Sequence, residues 1–197
     1  MFRIFLRITS GNKRGTPETG FAGITARFDC DKPIIAAVNG VAMGGGFEIA
    51  LACDLIIAAD SAKFALPEPR VGLAALAGGL QRLPRQIGLK PAMGMILTGR
   101  HVGAAEGMSL GYINAVVPQA ELMTEARRWA EMILQCSPVS IRTSKNAVMQ
   151  GLDQLDLEGA IKDSYALPSV KTLMGSADFE EGPAAFTEKR KPQWQGK

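Results

Sequence analysis

Two acidic residues stand where chemistry is best prepared. Glu48 follows three successive glycines and Phe47 in Gly44-Gly45-Gly46-Phe47-Glu48, and Glu68 lies between prolines in Leu66-Pro67-Glu68-Pro69. Successive glycines let a backbone take positive φ and let another group approach its N–H donors closely. An apolar run, Pro33 to Val38, leads into the turn and a second, Phe47 to Cys53, leads out, so the local reading is strand, tight turn, helix start. A helix beginning there adds N–H groups without acceptors and the positive end of a dipole. Three uses remain open for such a turn: a strand-to-helix crossover, a phosphate cradle, or a site that stabilises an oxyanion. The chain has neither a Gly-Lys-Ser/Thr ending nor G-x-G-x-x-G spacing at this point, so the nucleotide motifs are not met.

Glu48 falls in the first helical turn, where a carboxylate stabilises a helix through the dipole alone. Its apolar neighbours Phe47, Ile49, Ala50 and Leu51 also tend to raise a carboxyl pKa toward values useful to an acid or base. The flanking prolines predict an extended, rigid segment at Glu68, which is either a surface loop acid or a positioned catalytic group. Two carboxyls facing one pocket can serve as acid and base and move water on or off a double bond. His101 is the only histidine and reads as a loop or core residue, which speaks against a Ser-His-Asp triad. Met93, Met95, Met108, Met123 and Met132 fall at helical positions and read as core filler.

The elements that must hold these groups follow from periodicity. Strands are predicted over Pro33 to Val38, Leu55 to Ala59, Lys63 to Leu66 and Ile113 to Val117. Helices are predicted over Phe47 to Cys53, Leu80 to Ile87 (opened by Gly78-Gly79), Pro91 to Leu97 and Ala104 to Leu110. Beyond Pro118, Leu122, Ala126, Trp129, Ala130 and Ile133 form one apolar helical face, and Pro138 to Met149 and Leu155 to Ala166 read as two further helices. Gly182 to Lys197 reads as a polar ending with Phe186 and Trp194 as its apolar points. Interleaved strands and helices followed by helices alone imply an α/β core, residues 20–118, and a helical region, residues 119–197. Residues 1–19 stand apart as an atypical N-terminal segment.

With 47% hydrophobic and 21% charged residues in 197, and a net charge of +3, the chain can bury a sizeable core and resembles neither a disordered nor a nucleic-acid-binding protein. Lys189-Arg190-Lys191 is a local basic cluster, either a solvated tail or a phosphate contact. Three cysteines without CxxC spacing argue against a disulfide framework or zinc site and fit a reducing compartment. No apolar run is long enough to span a bilayer, and Met1 to Ile8, though basic and apolar, is short for a leader and lacks a cleavage site. The expectation is a cytoplasmic protein with no metal and no membrane or nucleic-acid partner.

From Gly20 to Lys197 the chain resembles the crotonase (enoyl-CoA hydratase/isomerase) superfamily. The resemblance rests on ordered blocks: Lys32-Pro33-Ile34-Ile35-Ala36-Ala37-Val38-Asn39-Gly40, Gly44 to Glu48, Ala52-Cys53-Asp54, Phe64 to Glu68, Gly78 to Leu83, Leu97-Thr98-Gly99-Arg100, and Glu181 to Arg190. Within the family, Gly20 to Thr25 and the ending that carries Trp194 are similar to the carnitinyl-CoA dehydratase subfamily. The resemblance implies a ββα spiral core followed by a C-terminal helical trimerisation region, assembled as a homotrimer or dimer of trimers. It implies an acyl-CoA thioester substrate, with coenzyme A as part of the substrate and no separate cofactor.

Carried over by position, Gly45 donates its N–H to the thioester oxygen beside Gly44, and Glu48 and Glu68 share acid–base duty around a water. Phe186 and Lys189 become candidate adenine or phosphate contacts to the CoA of an adjoining subunit. The implied reaction is hydration or dehydration across the 2,3-double bond, with isomerisation or a catalytically silent scaffold as alternatives. Met1 to Thr19 is shorter than the family's first part, which implies that its early strands, CoA loop and second oxyanion donor are missing from this sequence, an N-terminal truncation.

Overall fold

Between residues 35 and 66 the chain lays one strand in a first sheet, the next in a second sheet, then a helix, and repeats the move. The structure is a computed structural model that describes residues 17–197. Most of the N-terminal segment set apart above, residues 1–16, lies outside the described residues.

β1 (Ile35–Val38) pairs in parallel with β3 (Leu55–Ala59), Ile35 opposite Leu55, and β3 pairs in parallel with β6 (Ala115–Val117), Ile57 opposite Ala115. In the second sheet β2 (Val41–Met43) runs parallel to β4 (Lys63–Ala65), which pairs antiparallel with β5 (Val102–Gly103). The Asn39-Gly40 corner therefore sends consecutive strands into different sheets. β3 is buried along nearly its whole length, which explains its unbroken apolar run: a central parallel strand is covered on both faces.

Between and after the strands come α1 (Gly45–Ala52), α2 (Gly79–Ile87), α3 (Leu89–Thr98) and α4 (Ala104–Leu110). Their main core joins Phe47 of α1, Phe64 of β4 and Tyr112, whose ring centroids lie 5.1–5.5 Å apart. Full burial of Phe47 contributes roughly 1.5–3 kcal/mol and pins the first turn of α1, so the neighbouring Glu48 is held by the same packing. The helical part runs through α5 (Leu122–Leu134), α6 (Pro138–Gly151), α7 (Leu157–Ser164), α8 (Pro168–Met174) and α9 (Ala177–Thr187). The face of α5 bearing Leu122, Ala126 and Trp129 packs against Ile57 and the first sheet, as its apolar spacing predicts.

Several elements differ from the sequence reading. Val41 to Met43, which falls in the predicted turn, is a strand, because its short β-capable run precedes the glycines. α8 and α9 are not among the predicted elements. Pro168 sits at the first position of α8, where a missing N–H costs nothing. α9 carries Gly182 and Pro183 inside it, two residues that read as helix breakers. Of the five methionines named as core filler, only Met95 is buried; Met93, Met108, Met123 and Met132 are 37–53% exposed.

A buried acid closes the C-terminal end. Asp178 accepts from Ser137 Oγ at 2.6 Å and from the Gln195 N–H at 2.7 Å, while the Gly196 N–H lies 3.2 Å away. Burial pushes this carboxyl up, but those hydrogen bonds and the charge of Arg142 outweigh it and hold it below the usual carboxylate range. The stability it contributes is therefore present above the ordinary aspartate pKa and is lost as pH falls through the depressed one. Asp178→Asn is expected to lower Tm by about 4–8 °C near neutrality, and the difference from wild type should shrink in acid; thermal melts across pH check both.

Candidate active site

The turn before α1 is built on a backbone that only glycine adopts readily. Gly44 has φ 56° and ψ −127° and is tied to β4 by its N–H, which donates to the Ala65 carbonyl at 3.0 Å. Helical bonding starts at Phe47 and Glu48, whose N–H groups both donate to the Gly44 carbonyl at 2.9 and 3.0 Å. The N–H groups of Gly45 and Gly46 have no acceptor among the described residues. Two donors at the positive end of a helix are therefore left without a main-chain acceptor, the kind of group that stabilisation of an oxyanion uses.

Glu48 is 4% exposed, and its Oε1 accepts from the Gly79 N–H at 2.9 Å. Gly79 opens α2, so a second helix N-terminus points at this carboxyl. A Cβ on Gly79 would sit 3.1 Å from both Cγ and Oε1 of Glu48, so this close approach depends on glycine. Gly78 precedes it at φ 107°. Sequence reading takes the Gly78-Gly79 pair only as a helix opener; no pattern in the chain couples it to a residue 31 positions earlier.

Glu68 is not in the extended segment that the prolines predict. It starts a 3-10 turn, Glu68–Val71, held by Arg70, whose N–H donates to the Pro67 carbonyl at 3.0 Å and whose Nε donates to the Thr98 carbonyl at 2.9 Å. The turn's own bond and the long-range anchor at Thr98 together outweigh the local preference of a residue before proline for extended backbone. The turn brings Glu68 Oε1 to 2.9 Å from the point where a Gly44 Cβ would lie, and it buries Oε2 without a hydrogen-bond partner. Burial pushes the Glu68 carboxyl up, its own backbone N–H partly opposes this, and the nearby charge of Glu48 raises it further. The two carboxyls and the glycine turn thus form one site.

That raised pKa has a sign for stability. A carboxyl shifted up favours folding below its unfolded pKa, and the contribution is lost as pH rises through the folded value. Near neutrality that contribution is lost, and the raised carboxyl costs stability relative to one that keeps its unfolded pKa. Glu68→Gln is expected to raise Tm by about 2 °C near neutrality, with the gain vanishing in acid below the ordinary glutamate range; parallel melts of both proteins measure it.

Phe186 and Lys189 are not part of this cluster. Phe186 is 87% exposed on α9 and Lys189 follows that helix at φ 53°. No hydrogen bond or ion pair among the described residues links either to the glycine turn. Of the Lys189-Arg190-Lys191 cluster, Arg190 is engaged with Glu181 and Glu188. His101 lies in a loop, exposed. Residues to which the sequence reading gives no part in the site do reach it: Gly79 through its N–H, Phe21 against Gly45, and Arg82, whose charge lies near Glu48 and whose Nη2 donates to the Thr25 carbonyl at 2.8 Å.

Alternating strands of two sheets that feed a glycine turn, N–H donors without an acceptor and two neighbouring carboxyls mark out one class of α/β protein. The chain belongs to the enoyl-CoA hydratase/isomerase family, whose model matches residues 7–197. It is 44% identical over 180 residues to a carnitinyl-CoA dehydratase of Escherichia coli (strain SMS-3-5 / SECEC), an alignment covering 90% of this chain and 69% of that protein. Among solved structures it resembles an enoyl-CoA hydratase from Mycobacterium tuberculosis H37Rv, with TM-score 0.85, 34% identity, and coverage of 91% of this chain and 70% of that one. An enoyl-CoA hydratase from Geobacillus kaustophilus HTA426 gives TM-score 0.80 and 43% identity over 85% of this chain and 64% of that one. The family read from the ordered blocks is thereby established, as is the likeness to carnitinyl-CoA dehydratases, and the fold is the crotonase α/β fold.

Proposed function

We propose that the protein adds water to, or removes it from, the 2,3-double bond of an enoyl-CoA thioester, in the manner of a carnitinyl-CoA dehydratase. The observation that carries this reading is the carboxyl pair: Glu48 Oε1 is fixed by the Gly79 N–H, and Glu68 Oε2 is buried without a partner beside the glycine turn. A buried carboxylate oxygen with no protein partner is suited to a water or a substrate hydroxyl. In hydration, one carboxyl takes a proton from water as its oxygen bonds to C3, and the other delivers a proton to C2. Charge that moves onto the thioester oxygen in between is met by the Gly45 N–H, and Gly44 gives the substrate close access. Dehydration reverses these steps.

In the same reading coenzyme A is part of the substrate and no separate cofactor is used. Phe186 and Lys189, both exposed, serve the adenine or phosphates of CoA held by an adjoining subunit. Exposed Leu152, Leu155, Leu157, Ile161 and Tyr165 support a homotrimer or dimer of trimers, since apolar surface of this extent is suited to association. No helix among the described residues is long and apolar enough to cross a membrane.

The test is incubation with crotonyl-CoA in isotopically labelled water. The expected product is 3-hydroxybutyryl-CoA carrying the label on its hydroxyl. Conversion of a 3-enoyl-CoA to its 2-enoyl isomer without label at C3 would move the reading to isomerisation. Absence of saturable thioester binding by calorimetry would leave a catalytically silent scaffold.

A further inference from the structure

The loop ahead of β1 presses an aromatic ring onto the oxyanion donor. Its ends are clipped together, with the Ala26 N–H donating to the Thr19 carbonyl at 2.9 Å, and Gly20 and Gly23 take φ 80° and 74°. Between them Ala22 is held at φ 54°, a conformation that alanine adopts only where its surroundings impose it. Arg82 ties the loop to α2, donating from Nη2 to the Thr25 carbonyl at 2.8 Å and lying 5.8 Å from the Phe28 ring centroid. The carried group is Phe21, whose Cε1, Cζ and Cδ1 lie 2.5, 2.8 and 3.2 Å from the point a Gly45 Cβ would occupy.

The direction of that contact matters. Cα–Cβ bonds of a helix tilt toward its N-terminus, the side to which its first N–H groups also point. Phe21 therefore borders the space from which a thioester oxygen approaches the Gly45 N–H. An oxygen bonded there at about 2.9 Å places the acyl α-carbon two bonds further on, alongside the ring edge.

We propose that Phe21 determines specificity by walling the acyl slot at the α-carbon, admitting straight-chain acyl thioesters and excluding those branched at C2. The loop closure, the strained Ala22 and the Arg82 anchor fix the wall in place, so an added α-methyl group meets an aromatic edge that cannot withdraw freely. The inference rests on the acyl-CoA reading above and deepens it.

The test separates binding from turnover. Wild type, Phe21→Leu and Phe21→Ala are titrated with butyryl-CoA and isobutyryl-CoA, saturated thioesters that cannot be hydrated and differ in α-branching. Wild type should prefer butyryl-CoA, Phe21→Ala should reduce that preference by about tenfold or more, and Phe21→Leu should fall between. Phe21→Leu keeps an apolar side chain on α1 should the alanine variant fail to fold. An equal preference in all three proteins, or no binding of either thioester to wild type, overturns the wall. Rates with crotonyl-CoA and 2-methylcrotonyl-CoA are measured in parallel. If the binding preference shifts while no protein hydrates either, the wall stands and the hydratase reading fails.

Discussion

Glu68→Gln and Glu48→Gln are each expected to lower kcat for hydration of crotonyl-CoA by about 10²–10⁴-fold. Glutamine preserves the shape of each side chain. At position 48 its amide oxygen can still accept from the Gly79 N–H, which now meets Glu48 Oε1 at 2.9 Å. At position 68 it can still fill the space against Gly44. What is lost is proton exchange, so the fall should appear in kcat far more than in KM. Both carboxyls are assigned to one water, so the double variant should lose little more than the worse single variant, because groups acting as a unit are not additive. Steady-state kinetics on the three variants measures this. An unchanged kcat in either single variant removes that carboxyl from the mechanism.

Gly44→Ala is expected to damage both fold and activity. Its backbone would hold alanine at φ 56° and ψ −127°, a strain of about 1–3 kcal/mol, and its methyl carbon would arrive 2.9 Å from Glu68 Oε1. A Tm lowered by about 3–10 °C follows from the strain. Displacement of Glu68 and of the neighbouring Gly45 N–H should reduce kcat/KM by about 10²-fold or more. Gly46→Ala is the contrasting case in the melts: a Cβ there meets nothing within 4 Å, and the position lies inside α1, so Tm should hold or rise. Equal melting temperatures for Gly44→Ala and wild type would mean that the turn is not strained as described.

What the sequence discloses of this site depends on how local each interaction is. The strand–turn–helix unit around Gly44 is legible because its apolar runs and its glycines are adjacent in the chain. Glu48 is legible for the same reason, in the first helical turn, two residues after the last of the glycines. Glu68 is legible as a residue but not in its backbone: Pro67 and Pro69 suggest extension, and the bond from Arg70 to the Thr98 carbonyl, 28 residues away, makes a turn instead. The partner of Glu48, a main-chain N–H at Gly79, carries no side chain that could announce it. Phe21 is hidden in a similar way, since only the closed loop and the Arg82 anchor turn an ordinary apolar residue toward Gly45. In the helical part α9 escapes the pattern because Gly182 and Pro183 mask it, although Ser176 caps its start through the Phe179 N–H at 3.2 Å.

The bond from Gly79 to Glu48 has a consequence for motion. α2 is tied to its surroundings by few polar links, among them Gln86 Nε2 to the Leu51 carbonyl at 3.1 Å and Arg82 to Thr25. Any opening that lifts the first turn of α2 releases the Gly79 amide to solvent and the Glu48 carboxylate from its anchor in one event. Isotope exchange at that single amide therefore clocks how often the carboxylate proposed for acid–base duty loses its anchor.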